Sequence, residues 1–577
     1  MPPGVGIRSI VRVSWQRARQ GAYARALTSR AIASGLVVVL QLTTASEASA
    51  VEPWSDADPA GPPARAQISP DIGFRGGAEY RANVTAVRPI NVNGTRDRNF
   101  STIEHRLRLD AGIDWEDKVR LVTSIDVLDG VLWGDNGTLG KAPEPTDGAN
   151  VTTRNTNFAT TCYQLREGEP STLATSYHLG LCETDAVYVR RVYGDIVTPV
   201  GLLRIGRQPF TDGASLSVND GDGRRNRFGF SRRGNSADRI LFATKPLEAF
   251  KPVEARDTSE TRGVFAIVAY DRLVTDSPQQ FGDDLHGIVG AVRWLEPKHS
   301  LGGNFEARAY YTYRWDQQYD TSINAVGGRV MSKLGDFTAG AEATAILGTT
   351  REISEAFRVI SNDPPVDQVV RQFGARGVVR YDQPMYTLYF ETDYASGDSD
   401  PTTRSPLTQF RFAEDSNVGL LMFKHILAYQ SGRAAASGVQ LLRDLGAPSY
   451  PTDAIASRGS FTNAFAIFPQ VDVRPLKNLL LRGGVLMAWA PAKVVDPIVS
   501  LQRKDGLRIE DDLVNFAGGA PNRYYGTELD LRVQYRMYEH FAADLEGAYL
   551  FTGDAFADIN GDAVNSYLLQ ARGTFFF

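Results

Sequence analysis

From residue 71 to its end, the chain consists of runs about ten residues long in which apolar and polar positions alternate. This period of two marks strands of a sheet with one apolar face. In 106–115, Leu107, Leu109, Ala111, Ile113 and Trp115 oppose Arg106, Arg108, Asp110, Gly112 and Asp114. In 305–316, Phe305, Ala307, Ala309, Tyr311, Tyr313 and Trp315 oppose Glu306, Arg308, Tyr310, Thr312, Arg314 and Asp316. In 526–537, Thr527, Leu529, Leu531, Val533, Tyr535 and Met537 oppose Gly526, Glu528, Asp530, Arg532, Gln534 and Arg536. A soluble sandwich alternates in the same way, so the connections must discriminate.

They alternate in length. Short turns are predicted at 116–118, 198–200, 296–299, 335–336, 382–384, 474–477 and 538–540. Longer loops fall near 85–100, 130–184, 208–236, 272–283, 348–368, 397–460, 492–523 and 553–562. Two joints fit less well: the connection around 248–260 is long for a turn, and the loop near 316–321 is short. Short turns on one side and long loops on the other are the habit of transmembrane barrels. The fold class predicted is therefore all-β, a transmembrane antiparallel β-barrel of about 18 strands (16 to 18), with short periplasmic turns and long extracellular loops. That polarity puts Trp115, Trp294, Tyr381 and Phe577 near periplasmic strand ends and Trp315, Trp489, Tyr525 and Phe551 near outer ends, two girdles of the kind a bilayer slab demands. The final strand, 566–577, ends on Phe577, which reads as the aromatic terminal signal that barrel-assembly machinery uses.

The beginning of the chain belongs to another class. Arg8, Arg12, Arg17, Arg19, Arg25 and Arg30 precede the apolar run 31–42 and Ala48-Ser49-Ala50. This is the pattern of a secretion signal, with removal expected after Ala50. The domains expected are then a signal peptide at 1–50, a short periplasmic lead at 51–69 and the barrel at 70–577. The longest extracellular loop is placed at 398–460. Within it, 417–436 has the spacing of a helix, through Val418, Leu420, Leu421, Phe423, Ile426, Leu427 and Tyr429. Folded inward, it would constrict the lumen; packed outward, it would cap the rim. Composition decides little: 42% hydrophobic, 22% charged and a net charge of −5 suit a soluble protein equally well.

If the apolar sets face lipid, the opposite sets line the interior. The expected lining is Arg106, Arg108, Asp110, Glu306, Arg308, Arg314, Arg376, Arg380, Glu391, Asp393, Glu528, Asp530, Arg532, Arg536, Asp544, Glu546 and Arg572, together with Asp114. Such charges either brace a water-filled wall in pairs or form arginine rings that attract an anionic solute.

Several segments carry a family resemblance: 201–209 (GLLRIGRQP), Asn219-Asp220-Gly221-Asp222-Gly223, 238–242 (DRILF), 394–398 (YASGD), Ala490 after the strand 479–489, and 550–556 (LFTGDAF). These resemble an uncharacterised family of myxobacterial and other deltaproteobacterial outer-membrane barrels and, more distantly, alginate-export barrels. The second resemblance implies 18 strands and an arginine-bearing lumen for an anionic polysaccharide. The acids on the same faces depart from a purely electropositive conduit.

Candidate chemistry outside the wall is sparse. Asp220 and Asp222, and likewise Asp558, Asn560 and Asp562, space oxygens around glycines as calcium loops do, though turn formation explains them as well. Cys162 and Cys182 share one outer loop and are expected to form a disulfide in an oxidising compartment, closing about 20 residues for ~3 kcal/mol of restraint. His105, His178, His286, His299, His425 and His540 are scattered, and no catalytic residue, cofactor or metal is expected. The functional expectation is an outer-membrane, porin-like channel for hydrophilic solutes in a Gram-negative bacterium, passing saccharides or exporting an anionic polysaccharide. The expected partners are outer-membrane lipid and lipopolysaccharide, the barrel-assembly machinery and periplasmic polysaccharide-export components, not nucleic acid. The alternatives are a structural or adhesive barrel plugged by its loops and, disfavoured, a barrel-embedded hydrolase.

Overall fold

The computed structural model describes residues 64–69, 71–93, 100–116, 118–134, 187–211, 216–231, 234–275, 285–298, 303–317, 319–444, 455–506, 508–538 and 540–577. The signal peptide, most of the lead, Cys162, Cys182, His178 and His299 lie outside them.

Eighteen antiparallel strands close into a barrel. They are β2 (Ile72–Arg88), β3 (Phe100–Trp115), β4 (Val119–Gly134), β5 (Val187–Thr198), β6 (Gly201–Pro209), β7 (Ser236–Thr244), β8 (Gly263–Thr275), β9 (His286–Glu296) and β10 (Phe305–Asp316), then β11 (Thr321–Leu334), β12 (Phe337–Thr350), β13 (Gln368–Asp382), β14 (Tyr386–Ala395), β15 (Ala464–Leu476), β16 (Leu479–Trp489), β17 (Tyr524–Met537), β18 (Phe541–Thr552) and β19 (Ser566–Phe576). Each pairs with the next, and β19 closes on β2 through Leu569↔Ala86 and Phe575↔Tyr80. A short β1 (Ala64–Ser69), within the segment expected to be a short periplasmic lead, pairs with the start of β2. It takes up backbone donors and acceptors of β2 that lie beyond the end of β19, where Phe577 exchanges main-chain hydrogen bonds with Ala78 (2.9 and 3.0 Å). The last strand is thereby held at its final residue.

The alternation has a physical reading. Along every strand the apolar set is exposed, as at Leu109, Ile113, Ile205, Ile240, Val268, Val292, Val330, Leu388, Leu531 and Leu569. The polar set is buried inside. Large aliphatics exposed around a closed barrel are a lipid-facing surface, since hydrocarbon leaves them no reason to turn inward. No helix among the described residues is long and apolar enough to cross a membrane; the crossing is made by strands.

Trp115, Trp294 and Phe577 are exposed near the short-turn end, and Trp489 and Phe551 near the loop end. Tyr525 corrects the expectation. It is buried, with its hydroxyl donating to the Asn463 carbonyl (3.1 Å). The cause is a bulge: the β16–β17 register slips between Ala488 and Trp489, and Gly526 sits at φ 131°, where an added Cβ would lie 2.3 Å from the Phe551 carbonyl oxygen. A bulge turns one residue to the opposite face.

The loops hold short helices: α1 (Pro246–Ala249), α2 (Glu352–Ser361), α3 (Ala428–Asp444) and α4 (Pro497–Arg503). A π-helical turn, Met422–Leu427, leads into α3. The helix expected at 417–436 thus starts later and runs further, because 417–421 is held by contacts of its own, described next.

Candidate functional site

In the loop between β6 and β7, residues 216–231 cross the barrel interior as a strap. Four hydrogen bonds to one carboxylate shape its bend: Asp220 accepts from the amides of Asp222, Gly223, Arg224 and Arg225 at 2.7–2.9 Å. Gly223, at φ 69°, lies where a Cβ would meet the Ser231 carbonyl at 2.2 Å, so the strap can fold back on itself only with glycine there.

From this bend the strap reaches walls on several sides. Ser217 meets the Tyr310 hydroxyl of β10 at 3.0 Å. The Asp222 carboxylate pairs with Arg190 and Arg191 of β5 and, at 3.7 Å, with Arg108 of β3. Arg224 donates to Glu79 of β2 (2.6 Å). Arg227 donates to Gln470 (2.7 Å) and Asp472 (2.8 Å) of β15 and lies 3.9 Å over the Tyr389 ring of β14. The Gly229 amide donates to Glu546 of β18 (2.8 Å), and Arg81 of β2 caps the Phe230 ring at 4.4 Å. Asp220 and Asp222, the calcium candidates, therefore have their oxygens committed to amides and guanidiniums.

Between β14 and β15, residues 396–444 and 455–463 pack on the strap and against the inner wall. Asp415 accepts from the Gly221 amide (2.8 Å), and its own carbonyl accepts from Asn219 (2.8 Å) and Asn226 (3.0 Å). Burial pushes the Asp415 carboxyl well above the usual range, and Asp220 and Asp222 push in the same direction. The wall carboxylate Glu528 receives the amides of Leu420, Leu421 and Met422 at 2.6–2.8 Å. That contact holds the chain just before the π turn and delays the helix. Behind it, Phe423 packs on Phe461 (4.7 Å between centroids) and Tyr525 (5.6 Å), in a core that takes in Leu486, Leu550 and Leu568 from the wall.

The residues expected to line the interior are buried or half-buried and alternate along their strands with the exposed set. Cross-strand register explains much of their pairing. Arg376 opposes Asp393 and donates to it (2.6 Å); Asp544 opposes Arg572 and also accepts from Arg532 (2.9 Å). Arg106 bonds Glu79 (2.6 Å) and Arg108 bonds Asp126 (2.7 Å). Glu528 holds a loop instead, and Glu546 does so while also facing Arg532 (3.7 Å).

One stretch differs. Arg293, Arg308 and Arg329 are direct neighbours across β9, β10 and β11, and Glu306 accepts from both Arg293 (3.1 Å) and Arg329 (2.5 Å). Arg314 lies on the inner face of the same β10. Above it opens a cavity of about 420 Å³, lined by Arg314, Gln372, Gln409, Arg411, Thr462 and apolar side chains including Ile346 and Leu427. Burial lowers Arg411 to about 10, and the neighbouring Arg458 adds to this.

Arg329, Asp472, Arg482, Asp126 and Glu79 were missed although they obey the same alternation. Arg190, Arg224 and Arg227 carry no periodic signal that could have shown them.

At the outer rim, Asp496 caps α4 by accepting from Ile498 (3.0 Å) and Val499 (3.1 Å), and burial raises its carboxyl to about 6. A raised carboxyl contributes stability below the ordinary value near 3.9, which is lost as pH rises through 6. Amide exchange in 498–503, corrected for intrinsic rates, should therefore be more protected at pH 5 than at pH 8. Asp496→Asn, which keeps the cap, should abolish that difference.

No family model matches the chain, and no curated protein sequence does. Among solved structures it is similar to OccAB1 of Acinetobacter baumannii, with 9% identity over 87% of this chain and 96% of that one and a TM-score of 0.44. It is similar to OccAB4 of the same organism, with 10% identity over 87% and 98% and a TM-score of 0.42. A third is the outer membrane protein OpdK of Pseudomonas aeruginosa, with 11% identity over 87% and 99% and a TM-score of 0.41.

Proposed function

We propose that this chain is an outer-membrane channel for small, carboxylate-bearing hydrophilic solutes, with saccharide acids as the best-fitting class. The observation that carries the reading is the row of guanidiniums at Arg293, Arg308 and Arg329 across β9–β11, with Arg314 of the same β10 lining the outer cavity. Among the described residues, the strap makes ion pairs with β2, β3, β5 and β15, while toward β10 Ser217 meets the Tyr310 hydroxyl and the Phe210 ring of the same loop lies 5.8 Å from the Arg314 guanidinium. The proposed path of a solute descends from the outer cavity past Arg314 and Arg308 to Arg293. Guanidiniums along a wall offer a carboxylate successive weak sites in exchange for its water. A polymer would need the strap displaced, so export of an anionic polysaccharide is the less economical variant.

The exposed apolar barrel and its aromatic ends support residence in the outer membrane, surrounded by lipid and lipopolysaccharide. Phe577, at the paired end of β19, suits the role of assembly signal. In planar bilayers the protein should conduct with a preference for anions. Replacing Arg308 and Arg314 with Gln should weaken block by a sugar acid by about fivefold per residue, ~1 kcal/mol each for partly screened charges. Unchanged block in the double variant removes the proposed path.

A second reading, a plugged structural or adhesive barrel, draws on the apolar core that the loop 396–463 makes with the wall. Absence of any conductance from the intact protein would favour it.

A further inference from the structure

At the short-turn end, most strands are joined by two or three residues, but β7 and β8 are joined by residues 245–262. This insert is firmly built. Lys245 donates to the carbonyls of Asp257 (2.9 Å) and Ser259 (3.0 Å), and Glu248 accepts the Asp257 amide (2.9 Å). Arg256 donates to the carbonyls of Lys251 (2.8 Å) and Ala249 (3.0 Å) and reaches the Pro199 carbonyl in the adjacent turn. Its charges are neutralised within it, through Lys251–Glu248 (2.8 Å) and Arg262–Asp257 (2.6 Å). Yet this tied structure presents Phe250 at 93% and Leu247 at 65% exposure, and Val197 at the end of β5 and Val200 in the turn that Arg256 reaches are exposed as well.

The aromatic girdle at this end explains the position. Trp115 of β3, Trp294 of β9, Phe337 of β12, Tyr386 of β14 and Phe575 of β19 are all exposed there, whereas among the described residues the outward face of β4 to β8 brings only Phe242 near that level, Phe265 of β8 lying on the opposite face under Lys245 (5.2 Å). Aromatic rings settle at the headgroup level of a bilayer. We propose that residues 245–262 form a membrane-interface foot, in which Phe250 and Leu247 enter the headgroup region of the leaflet on the short-turn side and complete the girdle over β4–β8. The proposal rests on the barrel spanning a bilayer. The neutral charge balance of the foot suits a zwitterionic lipid surface, and its internal bonds hold Phe250 in place without further ordering.

The test is Phe250→Trp, a change at a solvent-exposed ring that leaves the fold intact, in liposomes with and without phosphatidylcholine brominated near the headgroup. The added emission, taken as the difference from the native protein, should be blue-shifted and quenched roughly twofold or more by the brominated lipid, with little effect of aqueous iodide. Leu247→Trp should behave alike. Red-shifted emission quenched by iodide, or emission shielded from both quenchers as under a protein partner or second copy, overturns the foot. The native Trp115 and Trp294 serve as internal reference: if brominated lipid leaves them unquenched as well, the fault lies with the transmembrane reading rather than with the foot.

Discussion

Replacing residues 216–231 with a Gly-Ser linker of equal length should raise single-channel conductance several-fold and abolish the preference among anions. The strap is the one described segment that touches β2, β5, β10, β14, β15 and β18 together, so it sets the narrowest section that ions must pass. Its excision leaves the wall strands paired as before, because no strand of the barrel depends on it for a ladder hydrogen bond. Barrel integrity is read independently, from the heat-dependent shift of the folded band in gel electrophoresis. A variant that keeps that shift but conducts no more than the native protein would falsify the constriction. Such a result would instead assign occlusion to the loop 396–463, which excision of residues 400–455 then tests by the same measurement.

The fold was legible in the chain because the barrel writes its geometry into a period of two. Lipid demands an apolar side chain at every second position, and the opposite residues must then face in, so Arg308, Glu306 and Arg376 could be placed without coordinates. Tyr525 escaped that logic, since a single bulge at Gly526 reverses the face of one residue. The short β1 escaped it too, because a strand that pairs along one edge needs no alternating face to be stable. The interior was far less legible. The strap has no period, and its partners lie up to hundreds of residues away, as with Arg227 and Asp472 or Gly229 and Glu546. The sequence separates charges into inner and outer sets, but which inner carboxylate braces a guanidinium and which anchors a backbone amide follows only from the path of the loops. Glu528 illustrates this: its position marks it as a lining acid, while its contacts make it the anchor of a helix entrance.

The joint most sensitive to a single substitution is Asp472. Its carboxylate lies between Arg227 of the strap (2.8 Å) and Arg482 of β16 (2.7 Å), and all three side chains are buried. Asp472→Asn retains the shape but removes the charge that Arg227 and Arg482 share, with the half-exposed Arg474 a third partner at 3.6 Å. Breaking a buried pair in this way costs about 3–5 kcal/mol, because the remaining charges stay desolvated. The barrel has a cheaper response than unfolding: Arg227 can leave with the strap, since 210–235 is anchored covalently only at its ends. The expected result is therefore noisy, enlarged conductance and rapid proteolytic nicking within 216–231, with the heat-modifiable barrel band retained. Arg227→Gln removes the strap's share of the joint while leaving Arg482 on Asp472, so it should give the same open, noisy channel with a smaller loss of thermal stability. If Asp472→Asn lowers the melting of the whole barrel but leaves conductance and nicking unchanged, the triad braces the wall and the strap is held elsewhere.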